Sequence, residues 1–161
     1  MLIADEPTRN LDVTVQASML KTMHRLREEL GMSLLLIANN LGLVSAMCDR
    51  VGILLNGNIV ETGSVRDLID DPLHPYTVDI LNAVPRKEER LGDMSRETLE
   101  EVDKGESGCW HYARCKVRDE RCKMLGPAEL TAVSETHAAA CWRLASGIQA
   151  AQTVGATEGS T

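Results

Sequence analysis

Apolar and polar positions alternate in two different rhythms along the first half of the chain. Residues Met1–Ala4 form a short apolar run that Asp5-Glu6-Pro7 stops, which predicts a buried strand. After this turn, apolar residues recur at spacings of four, three and four, at Met19, Met23, Leu26 and Leu30, which predicts one face of an amphipathic helix. Gly31 is a plausible end for this helix.

The next apolar runs are too short for helices and read as strands. Ser33–Ile37 is continuously apolar apart from its first residue, as in a parallel-sheet strand that is buried on both faces. Leu41–Cys48 reads as a short helix. Val51–Leu55 and Ile59–Thr62 flank Asn56-Gly57-Asn58, whose residues tolerate positive φ, so we expect a hairpin there.

Two helix starts follow the hairpin. Ser64 is a plausible N-cap, and Pro75 suits the first position of a helix, with His74 packing locally. Strands that alternate with helices make an α/β sheet the expected fold class.

Composition narrows the classes of function. The 161 residues are 43% hydrophobic but only 2% aromatic and contain no Phe, so we expect a core of Leu, Ile, Val, Met and Ala. A formal net charge of -7 argues against nucleic acid as a partner, because phosphate binding needs a basic face. No apolar run approaches the roughly 20 residues that span a bilayer.

The composition changes at Arg86. From there to Glu106, 13 of 21 residues are charged, which predicts a linker or a solvated helix. Beyond Trp142 the chain is rich in Ala, Ser, Gly and Thr, so we expect a disordered tail. The N-terminus has acidic residues by position five and no basic stretch, unlike a secretory signal, so the five cysteines are most simply cytosolic thiols.

Four of the five cysteines form a compact module. Gaps of five, six and eighteen residues separate Cys109, Cys115, Cys122 and Cys141. Four thiolates from one segment are enough to hold a [4Fe-4S] cluster, whereas zinc fingers prefer gaps of two to four residues between paired cysteines. Zn²⁺ and metal-free buried thiols remain alternatives. Cys48 is expected to be a core thiol.

Other polar residues near the module have less specific signals. His111 and His137 could replace a cysteine ligand, but we expect each to be a surface histidine. Five basic residues could offset the negative charge of a thiolate-ligated cluster or form a solvated face: Arg114, Lys116, Arg118, Arg121 and Lys123.

Several motifs, in order, resemble those of ABC-type ATPases. Leu2–Thr8 is similar to the Walker B segment, and Leu11-Asp12 lies at the distance expected for the D-loop. Three further features resemble the oligopeptide and dipeptide importer branch of that family. They are Val13–Ala17, then His74–Thr77 with Ile80-Leu81 and Val84-Pro85, and the cysteine spacing. The resemblance covers about Met1 to Arg143, and in that branch the C-terminal extension binds an iron–sulfur cluster.

The resemblance implies roles for the acidic residues. Asp5 would help to hold Mg²⁺ against the ATP phosphates, usually through water, and Glu6 would orient or deprotonate the attacking water. Asp12 would be the D-loop residue that communicates across a dimer of ATPase domains, a role compatible with an N-cap. Without the resemblance, Asp5 and Glu6 could be an acidic turn that caps the next segment.

Two short segments depart from the family pattern. Arg9-Asn10 replace the usual small residues of the D-loop. Ala38-Asn39-Asn40 stand where the family has Thr-His-Asp, whose His contacts the γ-phosphate. Because Asn39 can donate a hydrogen bond but cannot carry a proton or a positive charge, we expect impaired hydrolysis even in a completed domain. Nucleotide binding in such a domain is compatible with this change.

The resemblance also implies an organisation and a set of partners. Residues 1–85 would be the C-terminal part of a P-loop ABC ATPase domain, 86–106 a charged linker, 107–143 a small irregular cysteine-rich extension and 144–161 the tail. The phosphate-binding loop and the Leu-Ser-Gly-Gly signature, absent here, would lie upstream of Met1, so the chain alone should bind and hydrolyse ATP poorly.

Expected partners are membrane-spanning permease subunits, a second ATPase subunit and, indirectly, a peptide-binding protein, at the cytoplasmic face of the membrane. Three hypotheses result: part of a peptide-importing ATPase, a stand-alone metal-binding module, or a degenerate remnant.

Overall fold

A computed structural model describes residues 1–83 and 108–145 of the chain. These residues fall into two compact units, Met1–Val51 and Gly52–Thr161. Helices and strands mix in both, so the fold is α/β, as predicted. The predicted linker 86–106 and residues 146–161 of the predicted tail lie outside the described residues.

Two parallel strands form the sheet of the first unit. Strand β1 (Leu2–Asp5) pairs with β2 (Leu34–Ile37), in a register that runs from Leu2 opposite Leu34 to Asp5 opposite Ile37. Helix α1 (Val13–Leu30) lies between them in sequence. Both strands, and a parallel sheet for the second, were predicted.

The prediction that β2 is buried on both faces was wrong for the described residues. Alternate positions of the two strands are half-buried and exposed, and the exposed side chains include Ile3, Leu35 and Ile37. In the described part of the chain this sheet has two strands, and one of its faces is exposed.

Helix α1 begins and ends where the sequence predicted. The Asp12 carboxylate accepts hydrogen bonds from the backbone N–H groups of Thr14 and Val15, at 2.9 and 3.0 Å. Gly31 closes the helix in the left-handed conformation, with φ 59°. Met23 is the buried residue of the predicted apolar face.

Helix α2 (Leu41–Met47) follows β2 after a three-residue turn. The Asn40 side chain caps it by accepting from the backbone N–H of Leu43 at 3.2 Å. Arg27 of α1 donates to the carbonyl of Met47 at 3.0 Å and so ties the two helices together. Cys48 lies at the helix end, where it is half-buried and not in the core as expected.

A hairpin and two short strands form the sheet of the second unit. Strands β3 (Arg50–Leu55) and β4 (Asn58–Ser64) flank the predicted turn, with positive φ at Asn56 and Gly57. Two-residue strands β5 (Thr131–Ala132) and β6 (Ala138–Ala139) extend the sheet in the order β3-β4-β6-β5. The core is small and aliphatic, and comprises Ile53, Val60, Leu68, Leu73, Ala139 and Ala140.

Short helices complete the second unit. Ser64 caps α3 (Val65–Asp70) through a reciprocal capping box with Asp67. His74 caps α4 (Pro75–Asn82), in which Pro75 is the first residue, as predicted. The later helical pieces are a 3₁₀ turn at Tyr112–Arg114, α5 (Glu120–Met124) and α6 (Trp142–Ala145).

The helices of the described residues are not of the membrane-spanning kind. Even α1, the longest of them at 18 residues, lacks the apolar content to cross a bilayer.

The cap of α1 can be tested by stability. Asp12→Ala removes the acceptor for two N–H groups and should lower the free energy of unfolding by about 1 kcal/mol, measured by urea denaturation. Asp12→Asn keeps an acceptor oxygen and should stay close to wild type. Equal losses in the two variants would show that the carboxylate charge, and not the cap, is what matters.

Candidate functional site

Two cavities contain the residues that the sequence singled out, one in each unit. The first lies at the carboxyl edge of the β1–β2 pair. Asp5 ends β1, and Glu6 follows it with a left-handed backbone, φ 41°. The Glu6 N–H donates to the carbonyl of Ile37 at 2.8 Å, which keeps this residue beside the end of β2. Because the strands are parallel, Asn39 emerges at the same edge.

This first cavity has a volume of about 230 Å³. It brings Glu6 and Asn39 together, whereas Asp5 and Asp12 are not among the residues that line it. The lining consists of Glu6, Thr8, Arg9, Asn10, Gln16, Ala38, Asn39 and Asn40. The side chains are almost all polar, as in a site for a charged or polar ligand.

Arg9 holds the Glu6 carboxylate. Its Nη1 lies 2.8 Å from Glu6 Oε2, although the Arg9 side chain is 73% exposed. Sequence reasoning noted Arg9 as unusual but did not predict the pair; the three-residue separation in a turn was the available signal. In this arrangement the carboxylate is engaged by a cation, so it must be released before it can act on a water molecule.

Gln16 fixes the loop that carries Arg9. From the first turns of α1 its side-chain amide donates to the carbonyls of Thr8, at 3.0 Å, and Leu11, at 3.2 Å. Asn10 takes a left-handed conformation between these two points, with φ 62°. The loop is therefore anchored on both sides of Arg9 by one side chain.

The second cavity is lined by all four cysteines of the predicted module, each a free thiol: Cys109, Cys115, Cys122 and Cys141. The Cys109 N–H donates to the carbonyl of Cys122 at 2.7 Å, so the first and third cysteines are joined through their backbones. A side chain at Gly108 would lie 3.1 Å from that same carbonyl, which explains a glycine at this position.

Burial and backbone donors act in opposite directions on these thiols. Burial raises the pKa of all four, that of Cys115 to about 11. Backbone hydrogen bonds lower the pKa of all four, because they favour the thiolate. These bonds come from His111 and Tyr112 to Cys109, from Val117 to Cys115, from Asp119 to Cys122, and from Arg143 and Leu144 to Cys141.

Cys122 also contacts a carboxylate side chain. Its Sγ lies 3.5 Å from Asp119 Oδ1, a contact that suits a protonated thiol. Within residues 1–83 and 108–145, no three His, Cys, Asp or Glu side chains are arranged to hold a metal ion. The four thiols thus share a cavity without converging on a single point.

The histidines contradict one prediction. His111 and His137 were expected at the surface, but they are 4% and 7% exposed, and His74 is 2% exposed. His111 Nε2 lies 3.0 Å from Asp79 Oδ2, and His137 Nε2 lies 2.7 Å from Glu61 Oε1. A carboxylate partner for each ring makes burial possible, and sequence reasoning did not single out either carboxylate.

His74 packs locally, as predicted. Its Nδ1 accepts from the Tyr76 N–H at 3.1 Å, and its ring centroid lies 6.0 Å from that of His111. Burial, and secondarily the nearby His111, lowers the pKa of His74 to about 4. The ring is therefore neutral at physiological pH, as its acceptor role requires.

The basic residues of the module mostly face solvent. Arg118 donates to the carbonyl of Ala113 at 3.1 Å and lies over the Tyr112 ring, and Arg121 pairs with Asp119. Arg114, Lys116, Arg118 and Lys123 are exposed. This favours the solvated-face interpretation over charge compensation for a cluster.

Comparison with known proteins matches both halves of the chain. Residues 60–122 match the model of the family described as oligopeptide/dipeptide transporter, C-terminal region. A peptide import ATP-binding protein of Brucella melitensis biotype 1 is 38% identical over 143 residues, which are 88% of this chain and 42% of that protein. One from Brucella ovis is 38% identical over 155 residues, 89% of this chain and 44% of its own length.

The chain belongs to the oligopeptide/dipeptide transporter family. It spans less than half the length of these curated relatives. The family match begins inside β4 and ends at Cys122, so it includes Glu61, His74 and three of the four cysteines. Of the three hypotheses from the sequence, family membership favours the first.

Protonation of His74 should make stability depend on pH. Since the unfolded pKa is near 6.5 and the folded value is about 4, the unfolded chain binds more protons between these values. We therefore expect the free energy of unfolding to fall by up to about 3 kcal/mol as pH drops from 6.5 to 4.

His74→Asn supplies the control, because Asn caps helices but does not titrate. Denaturant unfolding at successive pH values should show a shallower slope in this variant, whatever its absolute stability. An unchanged slope would assign the pH dependence to other groups.

Proposed function

We propose that this chain is the C-terminal part of the ATP-binding subunit of a peptide importer. On this proposal, residues 1–85 belong to a P-loop ABC ATPase domain, 86–106 link it to the extension at 107–143, and 144–161 form a tail. One observation carries the proposal: the cavity at the carboxyl edge of parallel strands, where Glu6 and Asn39 meet. Ligands of α/β sheets bind at that edge.

The acidic residues would divide the work on ATP and Mg²⁺. Asp5, at the end of β1, would help to hold Mg²⁺, and Glu6 would orient the attacking water. Asp12 would be the D-loop residue that communicates across a dimer of ATPase domains, and it would also cap α1. Asn39 would face the terminal phosphate as a neutral hydrogen-bond donor only.

Arg9 makes the proposed site weaker in hydrolysis. While Arg9 holds Glu6 at 2.8 Å, the carboxylate is directed at a guanidinium and not at water. Asn39 in turn supplies no positive charge to a developing phosphate anion. Both features support slow turnover of ATP at this site.

The relatives, which are named as peptide import ATP-binding proteins, support a transporter assembly for this chain. On this proposal the chain works with membrane-spanning permease subunits and a second ATPase subunit at the cytoplasmic face of the membrane. A peptide-binding protein would take part indirectly, through the permease.

We further propose that Cys109, Cys115, Cys122 and Cys141 ligate a [4Fe-4S] cluster. Support comes from the four free thiols that line one cavity and from the backbone N–H groups directed at each of them, a donor set suited to thiolates. The enclosed space is small, about 10 Å³, so ligation requires the thiols to move apart. Zn²⁺ is the alternative occupant.

A chimaera would test the ATPase assignment. The aligned segment of the Brucella melitensis relative is replaced by this chain, and ATP hydrolysis is compared with Asn39 and with Asn39→His. Because the histidine restores a titratable donor, we expect a rise in turnover of roughly tenfold or more. Binding of a fluorescent ATP analogue checks that each chimaera is folded.

Glu6→Gln is the matched control for that experiment. If Glu6 orients the water, this change should abolish the gain from Asn39→His while ATP binding persists. Unchanged turnover on restoring the histidine, in a chimaera that binds ATP, would refute the assignment of position 39.

Metal analysis would test the cysteine site. The 161-residue chain, reconstituted anaerobically with ferrous iron and sulfide, should hold about four irons and about four sulfides and absorb in the visible thiolate-to-iron bands. Cys141→Ser should lose most of the iron, and Cys48→Ser should retain it. One zinc per chain, without sulfide, would overturn the cluster in favour of the alternative.

A further inference from the structure

The most deeply buried charged side chain of the described residues is Glu61, in the middle of β4. It is 0% exposed, and both carboxylate oxygens are used. Oε1 accepts from the Leu73 N–H at 2.8 Å and lies 2.7 Å from His137 Nε2. Oε2 accepts from the His74 N–H at 2.9 Å. An ionised carboxylate can remain in such a place only if its partners replace the lost water.

Glu61 connects segments that are far apart in sequence. Leu73 and His74 lead into α4, 12 and 13 residues further on, whereas His137 lies 76 residues away, just before β6. Gly63 permits this approach: a Cβ there would lie 3.1 Å from His137 Cδ2 and 2.7 Å from Leu68 Cδ1.

One connection leads to Cys141. Glu61 is the ladder partner of Ala139 in the antiparallel pairing of β4 with β6. The next residue, Ala140, donates its N–H to the carbonyl of Val60 at 2.8 Å. Cys141 follows directly, so the fourth thiol is held one residue from a ladder that Glu61 anchors through His137.

A second connection leads to Cys109. Glu61 fixes the backbone of His74, whose ring lies 6.0 Å from that of His111. His111 is also paired with Asp79 of α4, and its own N–H is directed at the Cys109 thiol. Glu61 thus orients the elements on two sides of the cysteine cavity, without belonging to its lining.

We propose that Glu61 is a positioning residue of the four-thiol site, acting through His137 on Cys141 and through His74 on the Cys109 side. The inference rests on the proposed function, in that the thiols must hold a metal group. On this inference, the Glu61 carboxylate in β4 determines how far apart Cys109 and Cys141 are held. The consequence is a site whose metal retention depends on a residue that never touches the metal.

Glu61→Gln is the test variant, made in the 161-residue chain. The amide can accept at one oxygen only, so it cannot accept from both the Leu73 N–H and the His74 N–H. After anaerobic loading with iron and sulfide, we expect iron loss to a chelator to be accelerated at least fivefold, with a changed visible or electron paramagnetic resonance spectrum. Glu61→Asp, which keeps both oxygens, should restore part of the retention.

Two controls separate positioning from general destabilisation. Leu68→Ala leaves a cavity in the same core, and Thr136→Val removes the 3.2 Å contact of the Thr136 hydroxyl with Asp67 on the same face. Both should keep the wild-type spectrum, and iron loss within about twofold of wild type at matched stability. If Glu61→Gln does not fold, His137→Gln tests the Cys141 connection and should show the same acceleration.

The outcomes are distinguishable. Wild-type spectrum and chelation rate in Glu61→Gln and in His137→Gln would overturn this inference and leave the proposed cysteine site intact. An equal acceleration in Leu68→Ala would assign the effect to stability and also overturn it. A wild-type chain that binds neither iron nor zinc would overturn the cysteine site itself and the inference with it.

Discussion

The second unit depends on the solvation of one buried carboxylate by protein groups. Its aliphatic core is small, and its strands β5 and β6 have two residues each. Apolar burial and the hydrogen bonds between strands are therefore too few to determine the positions of its segments by themselves. Glu61 adds three directional contacts that define where the start of α4 and the turn before β6 must lie. Because an unsatisfied buried charge is so unfavourable, the loss of any one of these contacts should be costly.

The first unit depends on a different constraint, the direction of its strands. Parallel pairing of β1 with β2 requires that both carboxyl ends meet at one edge, so Glu6 and Asn39, which are 33 positions apart, come to share a cavity. Nothing about Glu6 or Asn39 alone would place them together. The chemistry proposed for this edge therefore follows from topology, whereas that proposed for the cysteines follows from local sequence and from the ladder beside Cys141.

Local signals predicted most of the elements. The Asp12 and Ser64 caps, the Gly31 stop, the Asn56-Gly57 turn and Pro75 each act within a few residues, so their outcome can be read from short windows of sequence. The environment of the histidines could not. His137 is buried because of a carboxylate 76 residues away, and a single sequence contains no periodicity that connects such positions. The exposure of Ile3 and Leu35 was missed for a similar reason, since burial of a strand face depends on neighbours beyond the strand itself.

The two segments that depart from the family pattern, at Arg9 and at Asn39, lie in the same site. Arg9 and Asn39 line the same cavity, and Arg9 is the one cation among its lining residues. Its charge is already matched by Glu6 at 2.8 Å, so the lining offers no net positive charge to a phosphate group. A nucleotide at this edge would have to derive its electrostatic binding energy from groups other than this lining. On the proposed function, loss of the histidine then affects the step in which charge develops on the phosphate far more than it affects the affinity for the ground state.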